Sequence, residues 1–520
     1  MVKYILKRLL HGIISVMIVV LIVMLLVYSF TDRENVFTGD GQITKLGGNQ
    51  REVYKYQQWK KYGYLDYVTY SDYLVEIGLS PQEIEEADFG GTAAQDSPKA
   101  KEYVKKFTQH YEDKGYTVKR LNASSGLGNL KQLFAYKDIN VFVRFWKFIT
   151  GIIKIDNIHN ASGIADEDRK ISFTWYDPAY YKYDEDGNVK SKKFSPAIMG
   201  NGTTHKYLFY FDNKFPFIHQ NLVSISLGTS YSINRGLDVW DTMTRTQGPQ
   251  DMAEVVYPTG YKEVSADDLH SATYVEGSSS IEFKKLRFND DYTEVQENKT
   301  GKSRMGYSFT IGIISTLIAY FVGLPLGIVM ALKKDKIADK IGTLYIIFII
   351  AVPSLAYIFM FKAIGMSIGI PATFNTAGGW LFYILPIISL ALPSIGGLMK
   401  WMRRYMIDQS NSDYVKFARS GGLSEGQIFR KHIMKNAAIP ILHGIPGSIL
   451  GAITGAIITE RVYVVPGVGN VLTNAINAYD NSVIVGITLF YALLSIVSLI
   501  LGDIVMALSD PRISFNNKER

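Results

Sequence analysis

Six stretches of this chain are too long and too apolar to be left in water: residues 9–30, 307–332, 341–364, 381–399, 437–459 and 483–508. A hydrocarbon layer accepts about 20 apolar residues as one helix, because only a helix satisfies its own backbone N–H and C=O groups where no water can. The chain is therefore expected to be mostly α-helical and to cross a membrane six times. Lys3, Lys7 and Arg8 precede the first run, as in a secretory signal. That run exceeds the ~7–15 apolar residues of a signal peptide and lacks a small-residue cleavage site, so it reads as an uncleaved first span. Residues 31–304, by contrast, are polar and rich in Tyr, Lys and Asp. So sharp a change of composition marks a domain boundary. The expected division is a first span at 1–30, an inserted domain at 31–304, a helical bundle at 305–510 and a tail at 511–520.

Orientation follows from the basic residues, which are retained on the cytoplasmic side of short connections. Lys3, Lys7 and Arg8, the segment 333–340, the connection carrying Arg403, Arg404, Lys416, Arg419, Arg430, Lys431 and Lys435, and the tail with Arg512, Lys518 and Arg520 all fall on one side if there are six spans. The opposite connections, 365–380 and 460–482, are nearly free of Lys and Arg. Both termini are thus expected in the cytoplasm and residues 31–304 outside a plasma membrane. This bias also accounts for the net charge of +7, and nothing resembles a nucleic-acid motif, so no nucleic-acid partner is expected. There is no cysteine, which excludes disulfides, thiolate metal sites and a cysteine nucleophile. The external domain must then fold on its own core, for which roughly 270 residues suffice.

Catalytic patterns are lacking. No HExxH or GxSxG occurs, and Gly301-Lys302-Ser303 is not a phosphate loop because Gln296 stands where glycine is required. His159, His205, His219 and His270 are scattered without ligand spacing and read as surface histidines. No metal, cofactor or enzymatic activity is expected. In the inserted domain, alternation over 206–211 and 222–226 predicts strands, 81–119 reads as helical with a helix over 97–111, and 141–153 reads as an amphipathic helix at the membrane surface. An α+β domain follows. Its many tyrosines suit either a contact surface or half-buried strands. Gly323, Pro325, Gly327, Pro353, Pro386, Pro393, Gly451 and Gly455 lie within the spans. They fit either close helix packing or a bundle that rearranges around a path.

The most informative connection is 401–436. Tyr414, Phe417 and Ala418 have the spacing of one helical face, Gly421-Gly422 ends that helix, and Ser424 can cap a second whose Ile428, Phe429, Ile433 and Met434 line one side. Helix, glycine turn and helix would lie across the cytoplasmic face. Such a helix can dock in a groove of a soluble partner, whereas a merely lipid-binding basic loop would not call for the glycine turn.

Asp413-Tyr414-Val415, Ala418-Arg419 and Gly422-Leu423-Ser424 resemble the coupling loop of ABC importer permeases, in the form used by the oligopeptide and dipeptide branch. Lys416 stands at the general pattern's Glu, and Met434-Lys435 at its Leu-Pro. The 4–10 segment resembles the branch's N-terminal signature, Leu227-Gly228-Thr229-Ser230-Tyr231 the stretch before its second span, and Glu460, Tyr463, Pro466-Gly467-Val468-Gly469 and Asp480 its external turn. Asp503 and Asp510-Pro511-Arg512 resemble its ending. The long insertion after the first span is similar to that of AmiC-type permeases of Gram-positive peptide importers.

The resemblance implies a type I ABC importer permease for oligopeptides. It would work with a second permease subunit, two ABC ATPases, an external peptide-binding lipoprotein and the surrounding lipid. Asp413, Tyr414, Phe417, Ala418, Arg419, Gly421, Gly422 and Leu423 would couple to the ATPase, with Ala418 keeping the docking face slim and Arg419 pairing with an acidic groove residue. Glu460, Arg461, Pro466, Gly467 and Gly469 are candidates for the path or its gate, although Glu460 and Arg461, at the end of a span, equally suit boundary anchors at the water interface. Asp503 is expected to partner a basic group near the inner leaflet, and Lys362 to reach outward to the membrane surface. The same machine carrying dipeptides or nickel is a close alternative. A membrane-anchored receptor or surface hydrolase is a distant one.

Overall fold

The computed structural model describes residues 2–89, 97–123, 130–184, 186, 188–213, 216–276 and 286–509. The expected tail, 511–520, and Asp510-Pro511-Arg512 lie outside these residues. The first apolar run becomes helix α1 (Val2–Phe30). The inserted region supplies α2 (Gly48–Lys61), α3 (Tyr70–Glu76), α4 (Pro81–Ala87), α5 (Pro98–Asp113), α6 (Val141–Gly151) and α7 (Val239–Thr244). The bundle follows as α8 (Arg304–Leu332), α9 (Ile337–Ala351), α10 (Ser354–Ser367), α11 (Leu381–Ser410), α12 (Asp413–Ser420), α13 (Glu425–Ile428), α14 (Met434–His443), α15 (Ile445–Tyr463), α16 (Val468–Asn477) and α17 (Asn481–Ser509).

Among the described residues four helices, α1, α8, α11 and α17, are long and apolar enough to cross a membrane alone. The expected spans 341–364 and 437–459 are instead bent pairs. α9 and α10 meet at 109°, and the run of α13 through α14 meets α15 at 42°. The first break has a local cause. Pro353 has no N–H to continue the helix and pushes Val352 out of the helical region, to φ −83°, ψ 127°. The fourth expected span is longer than its apolar run, because α11 continues through the basic stretch to Ser410. Residues 401–410, expected in the cytoplasmic connection, are therefore still helix.

Small residues set the helix spacing. A Cβ added at Gly327 would come within 2.9 Å of the Met399 carbonyl oxygen, so α8 and α11 approach at nearly backbone distance. α1 packs on α17 through Val16, Val20 and Met24 against Val485, Leu489 and Ile496. Arg8 meets Asp503 at 2.9 Å, the basic partner expected for that carboxylate. Lys362, expected to reach outward, instead donates to the Val462 carbonyl at 2.7 Å.

The inserted region carries fifteen described strands: β1 (Leu65–Thr69), β2 (Thr117–Leu121), β3 (Gln132–Asp138), β4 (Ile153–Ile155), β5 (Lys170–Thr174), β6 (Lys182–Tyr183), β7 (Val189–Ser191), β8 (Ala197–Asn201), β9 (Tyr207–Phe211), β10 (Ile218–Gln220), β11 (Val223–Ile225), β12 (Ala253–Val256), β13 (Lys262–Ser265), β14 (Asp267–Tyr274) and β15 (Tyr292–Glu297). They form a three-stranded sheet β1-β3-β2, a four-stranded sheet β10-β9-β8-β5, and two-stranded ribbons β11-β4, β12-β13, β14-β15 and β6-β7. Strands fall where alternation predicts them at β9 and β11. The stretch 81–119 is helical only through α4 and α5, and its end at Thr117 enters β2.

Half of the inserted region's 22 tyrosines are buried. Tyr56, Tyr62, Tyr64, Tyr67 and Tyr231 surround Trp59 and Phe134, and Tyr70, Tyr73 and Tyr111 surround Phe107. Aromatic burial supplies the area that a cysteine-free domain needs.

Asp480, fully buried, fastens this region to the bundle. It accepts from the backbone N–H groups of Tyr231 and Ser232, both at 2.9 Å, and from the hydroxyls of Ser230 and Ser232. Two motifs 250 residues apart thus form one joint.

Of the histidines expected at the surface, His205 pairs with Asp156 at 3.0 Å, and His270 is buried with Nε2 at 2.7 Å from Asp177. Burial alone would lower the His270 pKa, but hydrogen bonds and charge from Asp177 and Asp268 outweigh it and raise it to about 9. A folded-state pKa above the unfolded 6.5 means the stabilisation is complete below pH 6.5 and is lost as pH rises through 9. Stability followed by intrinsic fluorescence should fall by up to about 3 kcal/mol across that window. His270→Gln should flatten the profile, and an unchanged slope would contradict the assignment.

Candidate translocation path and coupling helix

Between α8, α10, α11 and α15 lies a cleft of about 530 Å³. Its polar side chains are the hydroxyls of Thr316, Tyr320, Ser354, Tyr357, Ser389, Ser394, Ser448 and Thr459 and the indole of Trp401, set among Pro393, Gly397 and Leu398. No carboxylate, ammonium, guanidinium or imidazole is among the described lining residues. Tyr320 and Ser448 oxygens sit 3.1 Å apart, bridging α8 and α15. Sequence reasoning missed this surface, although a signal exists. Ser389, Pro393, Gly397 and Trp401 recur every four residues, and Thr316 and Tyr320 are four apart. Each set is one stripe of small or polar residues along an otherwise apolar helix.

The five residues expected at the path or gate sit beside this cleft, at the junction of α15 and α16. Glu460 is fully buried. Its Oε1 accepts from Ser308 at 2.6 Å and its Oε2 from the Asn470 N–H at 3.1 Å. Ser308 in turn accepts from the Val468 N–H at 2.9 Å. The carboxylate therefore occupies the N-terminus of α16, where unpaired N–H groups and the helix dipole favour negative charge. This explains the glycines. A Cβ on Gly467 would stand 2.3 Å from the Glu460 carboxyl carbon, and one on Gly469 would stand 2.6 Å from the Ile457 Cα. Pro466 lies in the extended link between the helices. Arg461 points away, exposed, and donates to Asn474 at 2.7 Å.

On the opposite side of the bundle, α12 forms as its spacing predicts. Val415 is fully buried against Met402, Met406, Ile428, Ile433, Ala437 and Ile441. Tyr414, Ala418 and Leu423 pack on the same cluster. Tyr414 OH donates to Gln409 and accepts from Asn436 at 2.9 Å. Three expectations change. Ala418 faces the bundle, so its small side chain lets α12 sit close to its own helices rather than slimming an outer face. Phe417, expected beside Tyr414, is 76% exposed, flanked by the ion-paired Asp413 and Lys416. Arg419, expected to seek an external acid, is bidentate to Glu425 at 2.6 and 3.1 Å within this chain.

Gly421 caps α12, and Gly422 turns with φ +81°, a region costly for residues bearing a Cβ. Ser424 then makes a full capping box with Gln427. The next turn widens to a π-helix at Phe429–Ile433. That single wide turn brings Ile428 and Ile433, five residues apart, to the same buried side.

If Gly467 exists to make room for Glu460, Gly467→Ala should lower unfolding free energy by ~1–3 kcal/mol. In a Glu460→Ala background the same change should cost much less, since the obstructing group is gone. A double-mutant cycle on the purified protein measures the difference, and strictly additive losses would contradict the geometry.

Similarity to known proteins agrees with this arrangement. Residues 323–515 match the family described as binding-protein-dependent transport system inner membrane component. The chain is 33% identical to the oligopeptide transport system permease protein AmiC of Streptococcus pneumoniae serotype 4, over 100% of this chain and 99% of that protein. It is 29% identical to the dipeptide transport system permease protein DppB of Bacillus subtilis, over 41% of this chain and 68% of the relative. Identity to the oligopeptide transport system permease protein OppB of Haemophilus influenzae is 27%, over 43% and 74%. With a relative matched from end to end, this chain belongs to the permease proteins of binding-protein-dependent peptide transport systems.

Proposed function

We propose that this chain is one of two permease subunits of an ATP-driven oligopeptide importer, with six crossings, both termini in the cytoplasm and residues 31–304 outside the cell. The observation that carries the reading is the uncharged, hydroxyl-rich cleft, two of whose helices, α8 and α11, also hold α12. Hydroxyls can meet the backbone amides that every peptide shares. A cleft without fixed charges does not select side chains by charge, which suits cargo of many sequences. Free nickel fits poorly, because a divalent cation wants imidazole or carboxylate ligands and the described lining offers neither.

The second permease would close the cleft from its open side. The ATPases would perform hydrolysis and would grip α12, with Phe417 as the apolar anchor ringed by charged neighbours. Val415 would pass their movement to α11 and α14, because it is packed between them. Glu460 and Gly467 would keep the outer wall rigid while the inner face moves. A substrate-binding lipoprotein would deliver peptide from outside.

Uptake of labelled peptides of graded length, in cells lacking this chain and restored with it, tests direction and substrate together. Gly422→Val should reduce uptake at least tenfold while membrane insertion stays normal. Wild-type uptake would contradict the coupling role. Because the chain has no cysteine, orientation can be read from single substitutions. Lys105→Cys should react with an impermeant maleimide in intact cells, and Asn411→Cys only after lysis. The reverse pattern would overturn the orientation.

A further inference from the structure

Where α1 meets the inserted region, a cavity of about 230 Å³ opens between α1, α6, the 227–229 strap and the start of α17. Part of its wall is apolar, formed by Met24, Phe148, Leu227 and Val485. Three cations, Lys61, Arg144 and Lys147, also line it. Among the described residues, neither Lys61 nor Arg144 has a carboxylate within ion-pair distance. Lys147 reaches Asp66 at 3.2 Å, with both groups half exposed.

Arg144 is held firmly. Its Nε donates to the Gly63 carbonyl at 2.8 Å, its Nη2 to those of Tyr64 and Ile139 at 3.1 and 3.4 Å, and its guanidinium lies 3.9 Å from the Tyr28 ring centre. Carbonyls and an aromatic face orient the cation, and the one carboxylate acting on it, Asp138, does so from beyond ion-pair distance and is itself paired with Arg33 at 2.8 Å. Beside it, α6 turns Phe142 and Trp146 outward, each 56% exposed, and α1 exposes Ile22 and Leu26. Aromatic residues of this kind mark the level of lipid headgroups.

We propose that this cavity binds the headgroup of an anionic phospholipid. The phosphate would sit against Lys61, Arg144 and Lys147, the glycerol over Met24 and Val485, and the acyl chains along the exposed side of α1. Apolar wall and cationic side chains match the two halves of one amphiphile, and Lys or Arg held at a membrane surface attracts anionic headgroups. The proposal rests on the reading that α1 spans the membrane with residues 31–304 at its far end. The maleimide labelling above tests that reading separately.

The test is native mass spectrometry of the purified transporter, exchanged into micelles holding equal phosphatidylglycerol and phosphatidylcholine. Phosphatidylglycerol should remain bound at least tenfold more often. Lys61→Glu, an exposed charge reversal outside any core, should erase that preference, as should Arg144→Gln if it folds. Lys105→Gln, far from the cavity, should not. Equal retention of the two lipids, or a preference untouched by Lys61→Glu, would overturn the proposal. So would displacement of the lipid by millimolar inorganic phosphate, which would mark a site for free anions.

Discussion

Four buried carboxylates hold this protein together, and each does so by being fully engaged. Asp503 joins the two ends of the chain through Arg8, and Asp339 joins α9 to α11 through a bidentate contact with Arg403 at 2.6 and 2.7 Å. Glu460 joins α8, α15 and α16, and Asp480 joins α17 to the inserted region. A charge removed from water costs several kcal/mol unless hydrogen bonds and counter-charges surround it. These groups are therefore strong constraints on which helices can be neighbours. The same constraint shapes the cleft. With the acids of the bundle engaged elsewhere, the described walls of the cleft carry no charged side chain.

Rigid and movable parts then separate. The carboxylate joints lie at the ends of helices. The surface between α8, α11 and α15 is made instead of small residues, hydroxyls and apolar side chains such as Ile395 and Met399. Surfaces of that kind can slide, because no buried charge is uncovered when they do. α12 is fastened to the bundle by one buried valine and a surrounding apolar cluster. A push on its exposed face would thus be passed on as a movement of whole helices.

Much of this was legible in the sequence. Apolar runs located the helices, and the basic stretches located the loop holding α12. Gly421-Gly422 and Ser424 foretold both the turn and the cap. What escaped had physical reasons. Pro353 was counted inside a single span, yet its missing N–H and its effect on Val352 split that span into two helices at 109°. Phe417 lay on the expected apolar face, but a helix of eight residues buries only a narrow stripe, and Val415 took it. Arg419 met Glu425 because the glycine turn folds the two together, which spacing alone does not reveal. The hydroxyl-lined cleft was overlooked because Ser and Thr in apolar helices usually satisfy themselves on their own backbone. Only the packing shows that several point to one space.

The central claim is that α12 is the contact through which ATP hydrolysis elsewhere moves this bundle. Phe417→Cys, paired with single cysteines in a co-purified ATPase, tests it by disulfide trapping with and without nucleotide. The account predicts a cross-link at Phe417, from a complex holding two ATPases and a second permease, with a yield that changes when ATP is bound. Purification of this chain without an ATPase, or cross-linking equal to that of Lys105→Cys on the inserted domain, would contradict it.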